Sequence, residues 1–134
     1  IKESVMSVTI IEDIIGLIFD DVMVNEDKTE LVFRRDYWCG EWGHVFTFFH
    51  EQGCCESVWI EDITGDLDDL TDSVITEAEV VTETRDTDEG RQTWSFFKFG
   101  TKRGCVTVRW CGESNGFYSE SVSLKIEKAK VITF

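Results

Sequence analysis

The chain contains no proline and few cations, with 13 lysine and arginine residues against 27 aspartate and glutamate residues. The formal net charge is therefore −14. This surplus of carboxylates argues against binding of long nucleic acid, because such binding needs an array of cations facing the phosphates. Long apolar runs are also missing, since stretches such as residues 14–19 fall far short of the roughly 20 residues that cross a bilayer. We therefore expect no membrane span and no long nucleic acid as partner.

The 134 residues suit one domain that spans residues 1–134. Five tryptophans and ten phenylalanines supply large apolar side chains for a core, which argues against intrinsic disorder. The five cysteines are an odd number without a recognisable framework, and this favours a reducing compartment over a secreted disulfide scaffold. We accordingly expect a folded protein of the cytoplasm.

Alternation of apolar and polar residues is the main signal of secondary structure. It predicts seven strands, at residues 29–35, 42–50, 57–62, 74–85, 92–101, 105–111 and 118–127. Short loops at 86–90, 101–104 and 112–116 indicate an antiparallel meander. Residues 4–17 predict one amphipathic helix, or a helix followed by a strand, and residues 66–71 predict a single turn. The predicted fold class is α+β, mainly antiparallel β: a meander-like sheet or sandwich with one or two short helices.

Charge is distributed unevenly along the chain. Residues 61–90 contain one basic and 12 acidic residues, whereas residues 91–134 contain eight basic and three acidic residues. Such asymmetry is typical of a chain with an interaction surface. Although the whole chain is acidic, a small phosphorylated ligand can therefore bind at the basic segment 91–134.

A run that begins at His50, HEQGCCESVWIEDI, contains several residue types that bind metals or act as nucleophiles. His50, Glu51, Cys54 and Cys55 are its metal-binding types, and Cys39 or His44 would complete a tetrahedral site. However, adjacent cysteines rarely bind one ion together, and no Cys-x-x-Cys pair is present. Activation of Cys54 or Cys55 by His50 or His44, with Glu51 or Glu56 orienting the imidazole, is the other chemical option. We favour a structural role, with small buried cysteines and a hydrogen-bonded histidine at a strand end.

The acidic segment contains the run GDLDDLTD, which resembles part of a calcium loop but lacks the sixth-position glycine and the final bidentate glutamate of an EF-hand. We expect a solvated turn in which Asp66 caps a short helix. Glu77, Glu79 and Glu83 continue the acidic face along the next strand. A carboxylate stripe of this kind also suits a protein that binds a basic partner or imitates DNA.

The basic third of the chain combines cations with aromatic residues, the combination that holds a nucleotide, because guanidinium groups match phosphate oxygens and rings stack on bases. Strand alternation presents Arg109 on the face opposite Val106, Val108 and Trp110. A role of these aromatic residues in the core is the simpler alternative. The candidate ligand-binding residues are Arg109, Arg103 and Lys102 for phosphate, Tyr118, Trp110 and Trp38 for stacking, and Asn115 for a base or phosphate.

Two sequence blocks, CCES and GESNG-F-YSE, lie within runs at residues 49–70 and 93–122 that resemble a family of small acidic phage and bacterial proteins of uncharacterised function. This family is similar to the phage sponge proteins that sequester cyclic dinucleotides and so block cyclic-oligonucleotide (CBASS) antiviral signalling. The resemblance implies a homo-oligomeric binder without catalysis or cofactor, with ligand held at or near subunit contacts.

The leading functional hypothesis is therefore a non-enzymatic immune-evasion protein that sequesters a cyclic dinucleotide in the host cytoplasm. The alternative is an acidic inhibitor that binds a basic host protein through residues 61–89. An enzyme that acts on a nucleotide is the third hypothesis. A ligand-sized pocket lined by Arg109 and aromatic residues would favour the first, and a flat carboxylate stripe the second.

Overall fold

A computed structural model describes residues 11–35 and 42–130. In this part the chain forms eight strands: β1 (Asp21–Val24), β2 (Glu30–Arg35), β3 (Trp42–Phe49), β4 (Ser57–Thr64), β5 (Glu77–Thr87), β6 (Gly90–Thr101), β7 (Gly104–Ser114) and β8 (Ser123–Lys130). Two short 3-10 helices, Ile11–Ile14 and Leu67–Leu70, complete the regular structure described. Neither has the length and apolar character that a membrane span needs.

The strands form two antiparallel sheets of four. The first sheet has the order β1-β2-β3-β8 and the second the order β4-β7-β6-β5. Strands β5, β6 and β7 form the predicted meander, and β4 joins it beside β7 with a register shift between Ile60 and Asp62. The fold is thus a β-sandwich, in agreement with the predicted mainly antiparallel class.

Aromatic side chains from the inner faces of both sheets fill the core. Phe33 and Phe48 of the first sheet contact Phe99 and Phe97 of the second, with ring centroids 5.0 and 5.4 Å apart. Trp110 of β7 lies in the same core and is 1% exposed. Rings at these distances interact edge-on or tilted, which adds directional attraction to the burial of apolar area.

The structure differs from the sequence prediction mainly at the start of the chain. The described part of the predicted helix at 4–17 is a single 3-10 turn, and β1 was not predicted as a separate strand. The predicted turn near residue 66 is confirmed, because Asp66 caps the helix Leu67–Leu70 and its side chain accepts a hydrogen bond from the backbone N–H of Asp68. Trp38 and Cys39 lie outside the described residues.

Candidate functional site

A cleft of about 700 Å³ lies between the inner faces of β5 and β6 and the segment that leads into β8. The inner face of β5 and β6 is apolar near the core and turns polar along the hairpin. Phe48, Phe97 and Leu124 supply apolar surface to the cleft. Ten polar residues line the cleft, three of them charged (Glu12, Arg91 and Glu120) and seven with hydroxyl side chains: Thr82, Thr84, Thr93, Ser95, Ser119, Ser121 and Ser123.

An ion pair between a half-buried arginine and a buried glutamate closes one side of this cleft. Arg91 donates two hydrogen bonds to the carboxylate of Glu120, from Nε at 2.7 Å and from Nη2 at 2.8 Å. The hydroxyls of Thr93 and Ser114 also donate to Glu120, each at 2.8 Å. The side chain of Glu120 is 2% exposed and that of Arg91 is 32% exposed, so the carboxylate is shielded from water while the guanidinium is half-buried. These bonds join the segment that contains Glu120 to strands β6 and β7.

The environment of Glu120 keeps it ionised. The hydrogen bond from Arg91 lowers the pKa of Glu120 to about 2, against the opposing effect of burial, and the hydroxyls of Thr93 and Ser114 act in the same direction as Arg91. The same contact raises the pKa of Arg91 above its ordinary value. At neutral pH the pair is therefore a charged, mutually neutralising unit and not a proton donor.

A second buried contact lies at the end of β3, next to the cleft. His50 Nε2 lies 2.7 Å from Glu56 Oε2, and His50 Nδ1 lies 2.6 Å from the carbonyl oxygen of Ser121, a residue of the cleft. The backbone N–H groups of Gly53 and Cys54 also donate to Glu56. The pKa of Glu56 is lowered to about 2, mainly by the hydrogen bond from the N–H of Gly53 and next by the contact with His50. Glu56 thus anchors the loop at 50–56 as Glu120 anchors the loop before β8.

The cysteines occupy positions different from those expected. Cys54 and Cys55 form a disulfide with each other and both are exposed, so the prediction that they are small buried core groups is wrong. The expected hydrogen-bonded histidine at a strand end is confirmed at His50. Both ring nitrogens of His50 have oxygen partners, and Cys54 and Cys55 are bonded to each other. In this arrangement His50 does not activate a free thiol of either cysteine. Within residues 11–35 and 42–130, no cluster of His, Cys, Asp or Glu is arranged to hold a metal.

Cys111 is the buried free cysteine of the described residues. Burial raises its pKa to about 11, with Glu61 and Glu113 acting in the same direction. It is therefore a neutral thiol at physiological pH, the inert state of a cysteine.

The residues predicted to bind ligand do not form one site. Arg103 and Lys102 lie in the turn between β6 and β7, where Arg103 donates to the carbonyl oxygen of Thr71. Asn115 and Tyr118 lie beyond the other end of β7. Because β7 has 11 residues, these two groups lie roughly 35 Å apart, too far to bind one small ligand within a single chain.

Two other predicted residues lie on opposite faces of β7. Trp110 is buried in the core, and this placement contradicts the prediction that its ring stacks on a base. Arg109 is half-buried on the outer face, where its Nε lies 2.8 Å from Glu61 Oε1. Trp38 lies outside the described residues. None of the predicted ligand residues in the described part lines the cleft.

Sequence reasoning missed the cleft, although a signal for it exists. On β5 the inner-face positions change from Ala78 and Val80 to Thr82 and Thr84, and on β6 they change from Phe97 to Ser95 and Thr93. An alternating strand whose buried face turns from apolar to hydroxyl residues indicates a polar cavity at the end of the core. The pairing of Arg91 with Glu120, 29 residues apart, has no local signal.

Comparison with known proteins gives a family but no relative of known activity. Residues 11–124 match a family described as a domain of unknown function, DUF7448. No curated protein and no solved structure matches the chain.

Proposed function

This chain belongs to the DUF7448 family, and we propose that it is a non-enzymatic binding protein that sequesters a small nucleotide of the cyclic dinucleotide class in the cleft. The cleft is the observation that carries the proposal. Its volume of about 700 Å³ falls within the roughly 300–1,000 Å³ typical of small-molecule sites. The nucleotide class comes from the resemblance to sponge proteins, as do the homo-oligomer and the cytoplasm of a phage-infected cell.

The groups in the cleft suit recognition of a polar ring compound. The buried rings of Phe48 and Phe97 give the cleft an apolar floor for a base, and the hydroxyls of Thr82, Ser95, Ser121 and Ser123 donate to phosphate or sugar oxygens, while that of Thr93 already donates to Glu120. The charges of Arg91 and Glu120 cancel and Glu12 adds a negative charge to the lining, so the proposal requires that the phosphates be held by short-range hydrogen bonds. The acidic exterior meanwhile repels long polyanions, which discriminates against cellular nucleic acid.

The Arg91–Glu120 pair supports binding more than catalysis. A general acid or base works best with a pKa near the operating pH. The pKa of Glu120 is lowered to about 2 by Arg91, and its oxygens already accept four hydrogen bonds. Its role in the proposal is to hold the cleft in shape.

Calorimetry tests the proposal with a panel of cyclic dinucleotides and two matched variants of β5. Thr82 points into the cleft, whereas its neighbour Val81 lies on the outer face. We expect sub-micromolar binding of at least one nucleotide, at least a roughly 10-fold loss in Thr82→Tyr because the new ring fills the cleft, and no change in Val81→Tyr.

Three results would contradict the proposal. The first is the absence of sub-micromolar binding throughout the panel. The second is an equal effect of the two tyrosine variants, which would place the ligand elsewhere. The third is conversion of the ligand during long incubation, followed by chromatography, because a sponge returns its ligand unchanged.

A further inference from the structure

Three aromatic side chains lie next to one another on the outer face of the second sheet, away from the cleft. Trp59 and Trp94 lie on either side of Cys111 in one row across the strands. Phe96 follows Trp94 on β6 and is paired with Arg109 of β7. All three rings are half-buried, and the first sheet covers only the opposite, inner face. These three side chains are called the aromatic platform below, with Cys111 of β7 between Trp59 and Trp94.

Carboxylates on the two edge strands border the platform. The strand register assigns five of them to this face, Glu61, Asp62, Glu77, Glu79 and Glu83, and a sixth carboxylate, Glu113, lies on it near the end of the central strand β7. The register assigns three cations to the same face: Arg85, Lys98 and Arg109. The outer face is therefore acidic at its edges and aromatic at its centre.

Guanidinium groups of the chain itself already occupy this face. Arg109 Nε lies 2.8 Å from Glu61 Oε1, although the contact is not an aligned hydrogen bond. Arg85 lies over the ring of Trp94, with its Cζ atom 5.5 Å from the ring centroid. Both contacts are of the kinds by which proteins recognise arginine, through a carboxylate and through the face of an aromatic ring.

From this arrangement we propose that the outer face of the second sheet docks a basic segment of a partner protein, whose arginine and lysine side chains lie over Trp59, over Trp94 in place of Arg85, and between the carboxylates of β4 and β5. This interaction is separate from the cleft and does not depend on the proposed nucleotide. In this proposal the acidic segment 61–89 binds arginine and lysine side chains of the partner.

Charge complementarity selects this occupant. A second copy of the same face carries the same excess of carboxylates, and nucleic acid and anionic lipid are repelled as well. Four strands at about 4.8 Å spacing and about eight residues of length give a face on the order of 500 Å². This area is below the roughly 800 Å² that each partner contributes to a standard interface, which suits a short basic segment.

The probe is a fluorescein-labelled peptide of six alternating Gly-Arg units, and its binding is measured by fluorescence anisotropy at low salt. We compare Glu79→Lys/Glu83→Lys with Glu26→Lys/Asp27→Lys, which makes the same change in net charge at exposed residues between β1 and β2. The first double variant should raise the dissociation constant at least about 10-fold and the second less than about 3-fold. Trp94→Thr, which keeps all the carboxylates, should also weaken binding about 10-fold or more.

Backbone amide chemical shifts then locate the peptide on the wild-type protein. We expect the shifts to concentrate on β4, β7, β6 and β5. Equal weakening by the two double variants, or shifts spread over all acidic segments, would show attraction to net charge alone and overturn the proposal. Unchanged binding to Trp94→Thr of confirmed native circular dichroism would also overturn it.

Discussion

Glu120 connects more of the cleft than any other single residue discussed above. Its carboxylate accepts hydrogen bonds from Arg91 and Thr93 of β6 and from Ser114 of β7, while its own backbone belongs to the segment before β8. A Cβ atom added at Gly112 would meet Glu120 Cβ at 2.5 Å, so the strand is also shaped to receive this side chain. The position of one wall of the cleft therefore depends on one ionised group.

Replacement of this carboxylate tests that dependence. Glu120→Gln leaves the guanidinium of Arg91 half-buried without its counter-ion, and we expect a loss of about 3 kcal/mol in the free energy of unfolding, measured with urea. The control Glu113→Gln changes an exposed carboxylate of the same region, which accepts from Gln92, and should change stability by less than about 0.5 kcal/mol. A loss in Glu120→Gln as small as in the control would contradict the assigned role.

The lowered pKa of Glu120 also predicts how this difference varies with pH. Because the folded-state pKa, about 2, lies below the ordinary 4.5, the unfolded chain takes up the proton first as pH falls. The stabilisation is therefore complete above about pH 4.5 and is lost as pH falls towards about 2. The gap between wild type and Glu120→Gln should shrink from about 3 kcal/mol at pH 7 to about 1 kcal/mol near pH 2.5. A gap that stays constant over this range would show that ionisation of Glu120 is not its source.

The β5–β6 hairpin supplies seven of the sixteen residues that line the cleft. Thr87 and Gly90 are its last paired residues before the turn, and Gly90 has a φ of 147°. A Cβ atom at this position would collide with the carbonyl oxygen of Ser114. The turn therefore needs glycine both for its backbone conformation and for the close approach of β7's end.

Two glycine variants distinguish the need for a positive φ from the need for space beside Ser114. Gly90→Ala combines an unfavourable φ with the collision, and we expect at least about 3 kcal/mol of destabilisation. Gly16→Ala has a φ of 95° but no neighbour within 4 Å of the added atom, and should cost about 1 kcal/mol. Thermal unfolding measures both variants. Equal costs would mean that the contact with Ser114 adjusts freely.

The elements themselves could largely be predicted from the sequence, because each half-buried strand carries its own alternating pattern. The four residues of β1 are too few to show such a pattern. The division of the strands into two sheets could not be predicted, since it depends on pairings such as β3 with β8 that join distant segments. Strand alternation assigned Arg109 to an outer face. Its neighbours Phe96 and Asp62 could not be predicted, because they come from pairings with other strands.

At the scale of the whole molecule, part of the charge of −14 lies along a sheet edge of the described strands and protects that edge. Strand β5 is a sheet edge of 11 residues, of which ten are exposed. Antiparallel pairing of β5 with a second copy, centred on Val81, would place Glu79 of one chain opposite Glu83 of the other. Charged residues at such an edge oppose association of this kind.

Removal of these two charges should therefore promote self-association. We expect Glu79→Thr/Glu83→Thr to form larger species than wild type in sedimentation velocity at about 100 μM, because threonine favours strands and carries no charge. The control Glu26→Thr/Asp27→Thr makes the same change in net charge away from this edge and should sediment like wild type. Identical behaviour of the two double variants would assign the effect to net charge and not to the edge.

The sequence by itself determined the class of the fold, the cap at Asp66 and the opposite facing of Arg109 and Trp110, because these follow from short-range periodicity and local hydrogen bonding. Only the tertiary structure decided that a hydroxyl-lined cleft exists, that Arg91 and Glu120 close it, and that Trp59, Trp94 and Phe96 share a face bordered by carboxylates. Contacts between strands distant in sequence depend on sheet order and register. These are chosen by burial over the whole molecule and not by any local segment.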